Sequence, residues 1–232
     1  MQVMGAEGHG IAQWLNGHGI TGVVLQYRLP KGRSFVPLED AQRAIRLVRQ
    51  RAKEWKIDAN KVGVFGFSAG GHLASTAATH FPKAGGPPAK NPFDRISCRP
   101  DFAVLVYPVV SMGKHTHRGS KRNLLGINPD PKMVELFSNE KQVTKETPPI
   151  FLAHAVNDRP VPPENSRMLF AALQKKQGSL RIPRATRWRT WAKRLQRPKL
   201  GCLAEKFPSL AGKAKNDPFA MSLFPASTTR RG

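Results

Sequence analysis

Cysteine is nearly absent from this chain. Its two copies, Cys98 and Cys202, lie far apart with no metal-ligand spacing around either, which leaves both a disulfide and a structural metal site unsupported. No apolar run approaches the roughly 20 residues that cross a bilayer, so no membrane-spanning helix is expected. The first residues have neither the basic start nor the apolar stretch of a signal peptide. As written the chain is therefore expected in the cytoplasm, although an intact relative could be secreted. Phosphate-loop and dinucleotide spacings are missing too. The absence that matters most for the chemistry considered below is that of histidine after His154.

What is abundant is positive charge, a formal +23. Its distribution decides its meaning. From Lys175 to Gly232 there are 15 Lys and Arg against Glu205 and Asp217, so this last quarter holds +13 and the first 174 residues only +10. A basic nucleic-acid-binding extension would place aromatic and basic residues together, and Arg187, Trp188, Arg189 and Trp191 superficially do so. That partner is nevertheless not expected, because the basic segment replaces elements the fold needs instead of adding to them.

The apolar pattern of residues 1–178 alternates between strand and helix. Residues 9–16 read as a short helix, 20–27 as a strand buried on both faces, and 38–55 as a helix with Ala41, Ala44, Ile45, Val48 and Ala52 at helical spacing. Strands follow at 61–65, 101–110 and 150–156, with helices at 70–79 and 163–175. This alternation predicts an α/β fold, a mostly parallel sheet flanked by helices. The stretches 82–100 and 112–148 read as long loops of the kind that roof a pocket.

The chemistry concentrates at Gly66-Phe67-Ser68-Ala69-Gly70. The apolar run 62–65 leads into it and the small-residue helix 70–79 leaves it, which is the context a nucleophilic serine on a sharp strand-to-helix turn requires. Gly66 and Gly70 remove side chains that would clash in such a turn. Ser68 would then stand at a helix N-terminus, where the Ala69 N–H can face a developing oxyanion. A serine that merely caps a helix is the plainer alternative.

Three segments together, 37–45 (PLEDAQRAI), 66–74 (GFSAGGHLA) and 161–166 (VPPENS), resemble the esterase/lipase branch of the α/β-hydrolases, near its acetyl-esterase and xylan-esterase members. The resemblance covers roughly residues 5–178. It implies a serine esterase acting through an acyl-enzyme on short acyl groups, on a small-molecule or polysaccharide ester such as acetylated xylan. It implies no metal, no organic cofactor, no nucleic acid and no membrane, and leaves the oligomeric state open. By position in the family pattern Asp158 is the acid that orients the catalytic histidine, with Glu164 a distant second.

That histidine should follow Asp158 in a Gly-His-Gly-like loop, where none occurs. His154 is read as a satisfied core or rim residue, His72 as packing behind Ser68, His115 and His117 as loop residues, and His9, His18 and His80 as surface or capping residues. The basic segment suggests why. Read one nucleotide later, the tryptophan codons of Trp188 and Trp191 become glycine codons, and the Thr190–Trp191 junction can give histidine. Residues 180–215 can then encode a strand, a Gly-Gly-His-Gly loop and an amphipathic helix. The expectation is a core at 1–178 that lacks its first strands, followed by an out-of-frame, poorly ordered tail at 179–232. An impaired or catalytically dead hydrolase scaffold is the matching alternative.

Overall fold

In the computed structural model, which describes residues 5–82, 91–177 and 220–225, the core forms where the sequence periodicities converge. Helix α2 (Val36–Gln50) turns Leu38, Ala41, Ile45 and Val48 inward. They meet Val62 and Val64 of strand β2 (Val62–Phe67), Ala103 and Leu105 of β3 (Phe102–Val106), and Leu73, Ala74, Ala77 and Ala78 of α3 (Ser68–Thr79). Leu169 and Leu173 of α6 (Glu164–Gln177) complete this cluster. Ile45, Leu105, Leu169 and Leu173 are fully buried, and burial of each such side chain contributes about 1.5–3 kcal/mol.

The strands β2, β3 and β4 (Ile150–Ala153) pair in parallel, with Phe67 opposite Val106 and Val106 opposite Ala153. Their C-terminal ends therefore lie side by side at one edge, the position where α/β sheets place their ligands. Strand β1 (Val23–Gln26) stands at the far side, and β5 (Ala220–Pro225) runs antiparallel between β1 and β2 in the order β1-β5-β2-β3-β4. The parallel strands and covering helices follow the expected architecture. Of the basic segment only β5 lies among the described residues, so its frame and order fall outside them, as does Cys202. Cys98 is a buried free thiol.

Several boundaries differ from the sequence expectation. The first helix opens as a π-turn at Ala6–Gly10 before α1 (Ile11–Asn16). Helix α2 stops at Gln50, and residues 51–56 are turns. Strand β3 ends at Val106 because Tyr107 takes a left-handed φ of 37°. The expected loop 112–148 contains two helices, α4 (Arg118–Leu125) and α5 (Pro131–Leu136). His117 Nδ1 accepts the Ser120 N–H at the start of α4, and Asp130 Oδ1 accepts the Lys132 N–H at the start of α5. Such caps satisfy amides that have no intrahelical acceptor.

Helix α3 is tied to this region through a buried polar network. The amide nitrogen of Asn139, fully buried, donates to the Ser75 and Thr76 hydroxyls and to the His72 carbonyl, while His72 Nε2 donates to the Phe137 carbonyl at 2.8 Å. Burial pushes the His72 pKa down from 6.5 to about 4. The unfolded chain thus takes up a proton below pH 6.5 that the native protein refuses until about pH 4. Stability present above that window is expected to fall as pH drops through it, by about 2–3 kcal/mol at pH 4.5. Urea midpoints at pH 7 and pH 4.5 check this, with His72→Gln flattening the difference.

Candidate active site

Ser68 occupies the corner at which β2 becomes α3, with φ of 46°. A non-glycine residue in this left-handed region is strained. The strain is held in place by tight packing on both sides. A Cβ on Gly66 would lie 2.3 Å from the Gly70 carbonyl oxygen, and one on Gly71 would lie 2.7 Å from Pro108 Cβ. The Val109 N–H donates to the Ser68 carbonyl at 2.9 Å and fastens the corner to the segment after β3. Gly66→Ala is expected to destabilise the chain by about 2–3 kcal/mol, since the contact is with backbone that cannot swing aside. A lowered urea midpoint with an unchanged m-value is the readout.

Ser68 and Ala69 are half-buried, not enclosed. Ala69 is the second residue of α3, so its N–H is among those without an intrahelical acceptor and carries the positive end of the helix dipole. Beside it lies a cavity of about 60 Å³, lined by Ala69 and Leu73 of α3, by Leu29 and Leu38, and by Met112 and Leu124. The lining is mainly apolar and small in volume. A short acyl chain is the kind of group it can hold.

Asp158 lies beyond the C-terminal end of β4, in the loop that follows the strand-end neighbours Phe67, Val106 and Ala153. It is half-buried and its Oδ1 accepts the Val161 N–H at 3.0 Å. Tyr107 stands between the two positions. Its ring is 5.7 Å from that of Phe67, its hydroxyl donates to Glu7 at 2.6 Å, and its pKa is pushed up by burial, by that hydrogen bond and by the charges of Glu7 and Asp158. The serine and the aspartate therefore share the C-terminal edge of the sheet. Tyr107 escaped the sequence reading because nothing in a lone tyrosine after a strand announces a left-handed turn.

The histidines have other occupations. His154 Nε2 donates to the Val161 carbonyl at 2.9 Å and lies 3.5 Å from Asp158 Oδ2, while its Nδ1 accepts from the Ser166 hydroxyl at 2.8 Å. This is the satisfied rim residue expected. His117 caps α4, and His18 bonds the Trp14 carbonyl from the surface. His80 is the capping residue expected: half-buried at the C-terminal end of α3, it donates its N–H to the Thr76 carbonyl and its Nε2 to the Leu136 carbonyl at 3.0 Å. Among the described residues no histidine is hydrogen-bonded to Ser68 Oγ.

Asn165 is a second residue whose role the sequence hid. Fully buried, its Oδ1 accepts from the Val110 and Ser111 N–H groups, and its Nδ2 donates to the carbonyls of His115 and Pro162. It clamps the start of α6 to the segment after β3, close to the serine corner. The run 161–166 that carries it was visible, but not this use of the amide. No group of three or more His, Cys, Asp or Glu able to hold a metal occurs among the described residues.

Comparison with known proteins adds relatives to this geometry. The BD-FAE family matches residues 6–173. An acetylxylan esterase of Xylanibacter ruminicola is 39% identical over 160 residues, 67% of this chain and 31% of that protein. Endo-1,4-beta-xylanase B of Butyrivibrio fibrisolvens is 43% identical over 141 residues, 60% of this chain and 22% of that protein. The crystal structure of an acetyl ester-xyloside bifunctional hydrolase from Caldicellulosiruptor lactoaceticus superimposes with a TM-score of 0.69 at 49% identity, covering 72% of this chain and 61% of that one. The chain thus spans between about a fifth and a third of the length of the curated relatives it matches.

Proposed function

The chain belongs to the BD-FAE family and has the α/β-hydrolase fold, and from that premise we propose that it carries the catalytic core of a serine esterase for short-chain acyl, acetyl-type esters on carbohydrate such as xylan. The observation that carries the reading is the strained φ of Ser68 at the strand-to-helix corner. Backbone strain held at one half-buried hydroxyl at such a corner supports a positioned nucleophile.

In the proposed reaction Ser68 Oγ attacks the ester carbonyl carbon while a histidine takes its proton. The Ala69 N–H holds the oxyanion, and Asp158 keeps the imidazole oriented. The carbon–oxygen bond to the sugar breaks, the departing oxygen receives the proton, and water releases the acid from Ser68 by the same route. The small apolar cavity beside Ala69 supports a short acyl group. The names of the acetylxylan esterase and of the acetyl ester-xyloside hydrolase support acetyl esters of xylan.

A second reading, a scaffold that has lost the chemistry, is favoured by the lack of histidine after His154. Fluorophosphonate labelling with peptide mapping separates the two. Modification at Ser68 supports an activated serine, whereas an unmodified Ser68 in a folded chain supports the silent scaffold.

A further inference from the structure

Helix α4 separates two concavities. Ser120, Asn123 and Leu124 line the apolar cavity that Ala69 also lines. Arg118, Lys121 and Arg122, spaced three and four apart and so neighbours on the helix surface, line an open basin of about 350 Å³ together with Lys114. No carboxylate lines this basin, and among the described residues none of its four cations forms an ion pair. Other cations of the chain are paired: Arg28 with Asp40, Arg49 with Asp101 and Arg167 with Glu164. Thr116, whose hydroxyl donates to the His117 carbonyl and keeps its oxygen lone pairs as acceptors, and Ile127, 76% exposed, also line the basin. Hydroxyl, cation and one apolar surface are what the edges and the C–H face of an acidic sugar need.

We propose that this basin binds the carboxylate of a uronate unit carried by the same polysaccharide whose ester is cleaved at Ser68. The assignment of a shared substrate rests on the esterase reading, but the binding itself does not. An α-helix with its side chains is roughly 10–12 Å across, so the two concavities on opposite faces of α4 are within reach of one short oligosaccharide. Guanidinium groups bind a carboxylate with two parallel hydrogen bonds, and the four unpaired cations are relieved of mutual repulsion when an anion enters. A bounded basin beside the ester site suits a single sugar carboxylate. A nucleic acid would need a groove of cations that tracks its backbone.

The test is calorimetric titration of the full chain with a xylo-oligosaccharide bearing one glucuronate and with its neutral counterpart. The acidic sugar is expected to bind about tenfold tighter or more. The preference is expected to vanish in the triple variant Arg118→Gln, Lys121→Gln, Arg122→Gln. It should shrink severalfold in Lys114→Gln, which leaves α4 untouched. Equal affinity of the parent chain for both sugars would overturn the proposal. So would a preference retained in both variants, which would move the binding to the basic segment at 179–232, or displacement of the acidic sugar by equimolar inorganic phosphate or duplex DNA. Because these readouts need no turnover, they stand or fall separately from labelling at Ser68.

Discussion

Reading residues 180–215 in the shifted frame is expected to raise p-nitrophenyl acetate turnover by roughly 10^4-fold or more over the 232-residue chain as it stands. A serine hydroxyl is a weak nucleophile until a positioned base takes its proton. His72, His154 and His117 are each engaged elsewhere. His72 is buried, held neutral and bonded to the Phe137 carbonyl. His154 uses both ring nitrogens on Val161 and Ser166, and His117 is the cap of α4. The shifted reading introduces a histidine at the Thr190–Trp191 junction within a glycine-flanked loop, after one more strand, where the chain order of this fold places the base. The restored chain with that histidine replaced by alanine should fall back to the original rate. Equal and robust turnover by all three would show that Ser68 obtains its base elsewhere or is not the nucleophile.

How much of this was legible in the sequence depended on how local the cause was. The corner at Ser68 was legible because its determinants are neighbours. An apolar run fills β2, Gly66 removes the clash with the Gly70 carbonyl, and a small-residue helix follows. Helix α2 was legible from the spacing of Ala41, Ile45 and Val48, although its end at Gln50 came five residues early. The helices α4 and α5 were not read, because their sequences RGSKRNLL and PKMVEL have too few apolar residues to show a stripe. Their caps carried the signal instead, above all Asp130 before Pro131. The pairing of β5 between β1 and β2 is a matter of long-range register, which no local pattern specifies. Tyr107 and Asn165 belong to the same class. Each acts through partners 50 to 100 residues away.

Ser68→Gly and Ser68→Ala, made in the restored chain, are expected to abolish ester turnover alike and to differ in stability. Removing the nucleophile costs up to roughly 10^6-fold in rate in serine hydrolases and eliminates fluorophosphonate labelling altogether. Stability follows the backbone instead. At φ of 46° an alanine keeps the clash between its Cβ and the neighbouring carbonyl, whereas glycine adopts the left-handed region freely. Glycine also gives the unfolded chain more freedom, which offsets part of that gain. The glycine variant should therefore be more stable than the alanine variant by about 1 kcal/mol, read as a higher urea midpoint at an equal m-value. A serine that only capped the helix would behave differently: its loss would leave ester turnover and labelling unchanged. Coincident urea midpoints for the two variants, or labelling that survives either substitution, would count against a strained nucleophile at this corner. The paired result ties activity to the oxygen and stability to the φ angle, so each half of the geometric claim has its own measurement.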